Sequence, residues 1–443
     1  MQVSVETLND LERRLTVQVP AERVAKEIQD RLVSMSRRVK VPGFRPGKVP
    51  LKLIQRMYGD QVRYEAVSEL MEHSLRDALV QENLNPLGGP KIEPKALEEG
   101  QDFEYSATFE VMPEFELAGM ESLQIERPVA EVTEQDVDAM LETLRWQRAV
   151  WSRAERPARI GDRVRFDFVG TIDGQDFPGG KAENQQFILG KKALLPDFET
   201  RLIDQNAGAQ LSFDLTFPAD YSAAEVAGKT ASFQINLHEV EEAALPDLDD
   251  AFAANFDIEQ GGIFALRQLL RENMERELRE GIQAAIKRQV MQGLLEVNAV
   301  PLPRALIWAE IEQLAGQLRF PADGDSQQIQ KLKASLFEGE ARRRVALGLL
   351  ISKLASGQGI QVDEQRVQAR VNAVAAAYEK PDEMLRWYQQ TPNALDSVRA
   401  LVLEDQVVDW VLERAQVSDR PSAFAEIMKP DAPPAVAPAG SPT

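Results

Sequence analysis

Leu15, Val17 and Val19 alternate with polar neighbours, the period of a half-buried strand. The period then changes: Val24, Ile28, Leu32, Met35 and Val39 recur at three- and four-residue steps, which predicts a helix with one apolar face. Glycines and prolines interrupt the chain over residues 43–50, GFRPGKVP. Beyond them a short helix is expected around Leu51 to Tyr58, and a longer one from Asp60 to Asn83. Phe103, Tyr105, Ala107, Phe109 and Val111 alternate with Asp102, Glu104, Ser106, Thr108 and Glu110, a strand with one buried face. Residues 1–112 therefore predict a small α+β domain from which a helix-loop-helix projects.

Residues 113–150 predict an extended linker followed by a helix from Glu134 to Trp151. Between 151 and 245 the pattern turns to short strands: Val164, Phe166 and Phe168; Phe213, Leu215 and Phe217; Ala231, Phe233, Ile235 and Leu237. Gly and Pro punctuate them, as in a compact, curved antiparallel sheet. From 246 to 430 the period is helical, with apolar stripes near 263–297, 303–319, 326–356, 363–378 and 392–415. Residues 431–443 are rich in Pro and Ala and predict a disordered tail. The fold class is multidomain α+β with an all-α C-terminal region.

Composition narrows the chemistry. The chain of 443 residues carries a formal charge of -20, which opposes adhesion to DNA or to an anionic membrane. Residues 31–63 are the exception. They hold Arg31, Arg37, Arg38, Lys40, Arg45, Lys48, Lys52, Arg56 and Arg63 against Asp60 alone, a local +8. There is no cysteine, so disulfides, thiol catalysis and Cys-based zinc sites are excluded. His73 falls on a helix and His238 among strand residues, and both read as structural. The opening MQVSVETLND has neither a basic nor an apolar leader region, and no apolar run is long enough to span a bilayer, so a cytoplasmic protein is expected. No phosphate loop or metal-ligand spacing occurs, and no cofactor or metal is expected.

The segments GDRVRFDFVGTIDGQDFPGG, FILGKKALLPDFE and FPADYSAAEVAGKTASFQINL resemble, in order and spacing, the FKBP-type prolyl isomerases. By position, Phe168, Phe177, Leu194, Leu195, Phe198, Tyr221 and Phe233 match that family's pocket lining, whereas Phe166, Phe213 and Phe217 read as core aromatics. Three positions depart from the family: Asp197 stands for a usual Gly, Pro178 for a common acid, and Gln185 for a frequent aromatic. The resemblance implies a peptidyl-prolyl cis-trans isomerase. An apolar pocket suits that chemistry, because the barrier of about 18–20 kcal/mol is lost amide resonance and the twisted bond separates less charge.

The three regions together resemble the bacterial trigger factors. In that family GFRxGxxP is a ribosome-docking signature, here Gly43, Phe44, Arg45, Gly47 and Pro50, with Lys48 inside it and Pro46 where a basic residue is frequent. The resemblance implies an ATP-independent chaperone that meets nascent and unfolded polypeptides at the exit tunnel of the large ribosomal subunit, touching protein and rRNA. It leaves room for a homodimer off the ribosome. Met274, Met291, Leu306, Ile307, Trp308, Ile311, Leu314, Phe320, Met384 and Trp387 are the candidate client contacts, most of them also candidates for inter-helix core. Two alternatives stay open: a free-standing isomerase whose helices recruit partners, and a pure chaperone whose isomerase domain is inactive.

Overall fold

The structure is a computed structural model. It describes residues 1–39, 42, 44, 49–95, 101–191, 194–219, 221, 223, 225–258, 260–316, 318, 320, 325–376, 378 and 380–429. The expected tail, 431–443, lies outside the described residues. The chain forms two compact units, Met1–Arg127 with Ala284–Arg420, and Pro128–Gln283 with the chain from Pro421 onward.

In the first unit, β1 (Gln2–Thr7), β2 (Glu12–Val19), β3 (Leu87–Pro94) and β4 (Phe103–Glu110) make an antiparallel sheet in the order β1-β2-β4-β3. Leu15 pairs with Ala107, Val17 with Tyr105 and Val19 with Phe103, so the alternation seen in both sequences falls on one face, and all six are buried. α1 (Ala21–Arg38) and α2 (Leu51–Gln81) cover that face through Val24, Leu70, Leu75 and Ala78. The buried Tyr105 hydroxyl lies 2.8 Å from that of Ser74, which donates to the Leu70 carbonyl at 2.6 Å. Burial pushes the phenol above its ordinary pKa, and the Ser74 hydrogen bond opposes the shift.

α2 is one helix where two were expected. Ile54, Tyr58 and Val62 straddle Gly59 and pack with Leu32 and Val49 into a small second core, and this burial outweighs the weak helix propensity of glycine. The helix stops where Asn83 takes φ 51°, a left-handed conformation that asparagine tolerates.

The remaining helices of this unit are the later part of α6 (Gly262–Val297), α7 (Arg304–Ala315), α8 (Ser326–Gln358), α9 (Glu364–Ala376), α10 (Pro381–Gln390) and α11 (Pro392–Leu412). Ile307, Ile311 and Leu314 of α7 meet Ala341 of α8, and Val367 and Val371 of α9 meet Val398 and Val402 of α11. Pro303 gives α7 no side-chain cap. Glu110 of β4 supplies it instead, accepting from the backbone N–H of Arg304 at 3.1 Å and of Ala305 at 2.9 Å.

In the second unit, α3 (Glu134–Gln147) starts at a Thr133–Asp136 capping box. It ends before Trp151, because Val150–Arg153 is a strand, β6, paired with Glu241–Ala244 of β10 (Thr230–Ala244). With β7 (Arg163–Ile172), β8 (Gln175–Ile188) and β9 (Gln210–Thr216) these form the antiparallel sheet β6-β10-β7-β8, with β9 also on β10. β8 was not foreseen: most of its fourteen residues are polar or glycine and show no alternation. A short helix, α4 (Pro196–Leu202), lays Phe198 and Leu202 into the sheet's core. A separate core joins α3, α5 (Asp250–Ala254) and the first part of α6 through Leu141, Phe252, Leu266, Met274 and Leu278.

A Cβ on Gly59 would meet only Gln55 Cγ, at 3.7 Å, an ordinary contact. Gly59→Ala should therefore stabilise the chain by roughly 0.5–1 kcal/mol, read as a higher urea midpoint for the loss of helical circular dichroism.

Candidate active site and docking tip

β7, β9 and β10 send alternate side chains to the inner face of the second unit's sheet, and Phe233 of β10 is the hub. It lies across the ladder from Gly170 on one side and from Phe213 on the other. Among the described residues its ring centroid is 5.4 Å from Phe198, 6.0 Å from Phe168, 6.3 Å from Phe213, 6.3 Å from Phe217 and 6.4 Å from Phe177. The contacts to Phe198 and Phe177 are edge-to-face, at 83° and 89°, the favoured geometry for aromatic quadrupoles.

Phe177 reaches the cluster by a bulge. Val169 pairs with Lys181 but Thr171 with Asp176, so residues 177–180, FPGG, arch out of the β7·β8 ladder. Leu194 and Leu195 pack against the same core from the turn that starts α4. The Tyr221 ring lies 4.9 Å from that of Phe217, tilted at 50°, and Tyr221 is 37% exposed, which leaves one polar group at the rim of an apolar cluster.

The seven residues singled out from the sequence are thus brought together. Phe166 and Phe217 are buried core. Phe213, expected in the core as well, is only half-buried. Its ring meets Phe198 edge-on at 5.5 Å, with the Arg201 guanidinium 5.7 Å from its centroid. Strand alternation could not separate it from Leu211 and Leu215, since all three point inward. Of the departing positions, Pro178 and Asp197 are exposed, and Gln185 is half-buried with its amide donating to the Glu183 carbonyl.

A cavity of about 380 Å³ over Asp167, Val169, Ser212, Gln234 and Asn236 touches Phe168 but includes none of Phe198, Tyr221 and Phe233. Asp167 and His238 stand next to inward-facing Phe166 and Leu237 and so point outward. The His238 Nε2 is 2.8 Å from the carboxylate of Asp167, and the backbone N–H of Asn184, helped by the imidazole, holds that carboxyl below its usual pKa. His73 is exposed on α2, 3.8 Å from Glu69.

In the first unit, Phe44 is 41% exposed and Pro50 sits at the N-cap of α2. Gly43, Arg45, Gly47 and Lys48 lie outside the described residues, as does Lys40. The sequence count of +8 overstates the local charge, because Arg31 is held between Glu65 and Glu69 of α2. Arg37 and Arg38 end α1, where they favour its negative pole.

Of the candidate client contacts, Met274, Met291, Ile307, Ile311 and Leu314 are buried core. Leu306, Phe320 and Met384 are half-buried, and Trp308 and Trp387 are exposed. The sequence reading missed Leu332 and Leu336, exposed one turn apart on α8, and Tyr378. Tyr378, Met384 and Trp387 line an open groove of about 420 Å³ with Lys380 and Glu383.

Comparison with known proteins settles the family. The sequence model described as "Bacterial trigger factor protein (TF)" matches residues 1–144, its C-terminal counterpart matches 263–413, and "FKBP-type peptidyl-prolyl cis-trans isomerase" matches 154–238. The trigger factor of Thioalkalivibrio sulfidiphilus is 46% identical over 97% of this chain and 98% of its own. That of Stutzerimonas stutzeri is 44% identical over 97% and 98%. The chain belongs to the trigger factor family. It is a chaperone with an FKBP-type prolyl isomerase domain, and ribosome binding comes with the family. A solved structure of the trigger factor chaperone aligns over 93% of this chain and 99% of its own, at 18% identity and a TM-score of 0.49.

Phe198 is both a pocket candidate and core, so Phe198→Ala should lower kcat/KM for X-Pro isomerisation and also cost about 3–5 kcal/mol of stability. Tyr221→Phe removes one rim hydroxyl. It should lower kcat/KM more mildly while leaving stability within about 0.5 kcal/mol, measured by a peptide isomerisation assay beside urea unfolding.

Proposed function

We propose that the aromatic cluster around Phe233 is the isomerase pocket, and that Phe44 with its basic surroundings docks the protein beside the exit tunnel of the large ribosomal subunit. The observation that carries the docking reading is Phe44 itself. Phe44 is 41% exposed, stands among residues rich in Lys and Arg, and belongs to none of the core clusters of the described residues. It suits an apolar anchor to protein, while the cations give salt-sensitive attraction to rRNA. Arg45 adds a multi-donor contact to carboxylate or phosphate.

In the pocket, Phe168, Phe177, Leu194, Leu195, Phe198 and Phe233 desolvate the imide and favour its twisted state, and the Tyr221 hydroxyl donates to a substrate carbonyl. No bond is made or broken and no cofactor takes part. The exposed apolar side chains of α8 and α10 receive unfolded clients. Such a surface needs breadth more than fit, and methionine and aromatic groups supply it. We assign docking to residues 1–112, isomerisation to 151–245 and client binding chiefly to 246–430, with 113–150 linking them. We place the protein in the cytoplasm; no helix among the described residues is long and apolar enough to cross a membrane. A homodimer off the ribosome remains part of this reading.

Phe44→Ala with Arg45→Ala should abolish co-sedimentation with ribosomes at physiological salt, leave peptide isomerisation unchanged, and shift stability by no more than about 0.5 kcal/mol. Wild-type-like co-sedimentation of the double variant would remove the docking assignment.

Suppression of aggregation of a denatured client without ATP should survive Tyr221→Ala. It should fall when Tyr378 and Trp387 are both changed to Ser, as followed by light scattering. The opposite pattern would favour a free-standing isomerase whose helices only recruit partners.

A further inference from the structure

A Cβ built on Gly170 would lie 2.5 Å from Cε1, 2.9 Å from Cδ1 and 3.1 Å from Cζ of Phe233. The ring therefore lies over the bare backbone of the residue across the ladder from it. Gly170 is buried and its φ is not in the left-handed region, so this glycine is required by the space above it and not by its own conformation. A second glycine completes the arrangement. A Cβ on Gly180 would lie 2.8 Å from the Gly170 carbonyl oxygen and 3.0 Å from Phe177 Cε1. Gly180 thus lets the FPGG bulge press backbone to backbone on Gly170, which brings Phe177 edge-on to Phe233.

We propose that Gly170 is a positioning residue for the isomerase: by yielding the volume of a methyl group it seats the Phe233 ring against β7 and so sets its edge-to-face arrangement with Phe177 and Phe198. This rests on the reading of that cluster as the proline pocket. A methyl at 170 would force the ring from 2.5 Å to an ordinary contact of at least 3.4 Å, a displacement of about 1 Å. The ring would have to yield away from Gly170, into its existing contacts with Phe198, Phe177, Phe213 and Phe217. A misplacement of that size at a reacting centre costs on the order of 10- to 100-fold in rate.

The test uses the full chain and five proteins: wild type, Gly170→Ala, Phe233→Leu, the double variant of these two, and Tyr221→Phe, each assayed for peptide isomerisation, client aggregation and urea unfolding. Gly170→Ala should lower kcat/KM by about 10- to 100-fold while aggregation suppression is kept. In the Phe233→Leu background, where the shorter side chain clears the methyl, the same substitution should cost little, a non-additivity expected of residues in contact. An equal fold-loss in both backgrounds, or wild-type activity of Gly170→Ala beside an impaired Phe233→Leu, overturns the positioning role and leaves the pocket standing. Wild-type activity of both Phe233→Leu and Tyr221→Phe overturns the pocket reading and this role with it. Should Gly170→Ala fail to fold, the role requires that the double variant fold with the activity of Phe233→Leu alone; an unfolded double variant overturns it.

Discussion

The second unit depends on the pairing of one long strand. β10 carries fifteen residues and pairs with β6, β7 and β9, so its register, shifted once by a bulge between Leu237 and Glu239, fixes what faces what across the sheet. That register sets Phe233 between Gly170 and Phe213. A slip by one residue would turn Ala231, Phe233, Ile235 and Leu237 to the outer face and take Phe233 away from Phe198 of α4. Side-chain packing and the proposed pocket are thus one arrangement: the rings proposed to hold a substrate proline also close the core.

This coupling separates the pocket residues by the cost of changing them. Phe198 and Phe233 are 6% and 5% exposed and belong to the core cluster, whereas Tyr221 stands at the rim. Activity lost at the first two includes lost packing. Tyr221 reports on chemistry with little of that burden.

The first unit obeys a different constraint. Its sheet and helix pairs bury enough to hold their form, yet Phe44, Trp308, Leu332, Leu336, Tyr378 and Trp387 remain open to solvent. Elsewhere ion pairs line the exposed helix faces, such as Arg366 with Asp409, Arg370 with Asp405 and Arg399 with Glu364. Exposed pairs of this kind contribute little to stability, about 0–1 kcal/mol each. They keep the face between α9 and α11 polar.

The resemblance of three segments to the FKBP-type isomerases named the candidate pocket residues; periodicity by itself determined the strands around 15–19, 103–111 and 231–237 and most of the long helices. Each rests on local repetition that burial on one face imposes. Tertiary structure decided the rest. Gly59 argued for a break that the packing of Ile54 and Val62 overrides, and Trp151 extended a helical pattern that pairing with β10 converts to a strand. β8 gave no pattern because most of its residues face outward. Phe213 looked like Leu211 and Leu215, since alternation gives a direction but not a depth. Arg31 counted toward a basic tip until Glu65 and Glu69 came beside it. Gly170 carried no signal at all: the need for a glycine there arises from a ring 63 residues away in the chain, brought opposite by the register of an antiparallel pair.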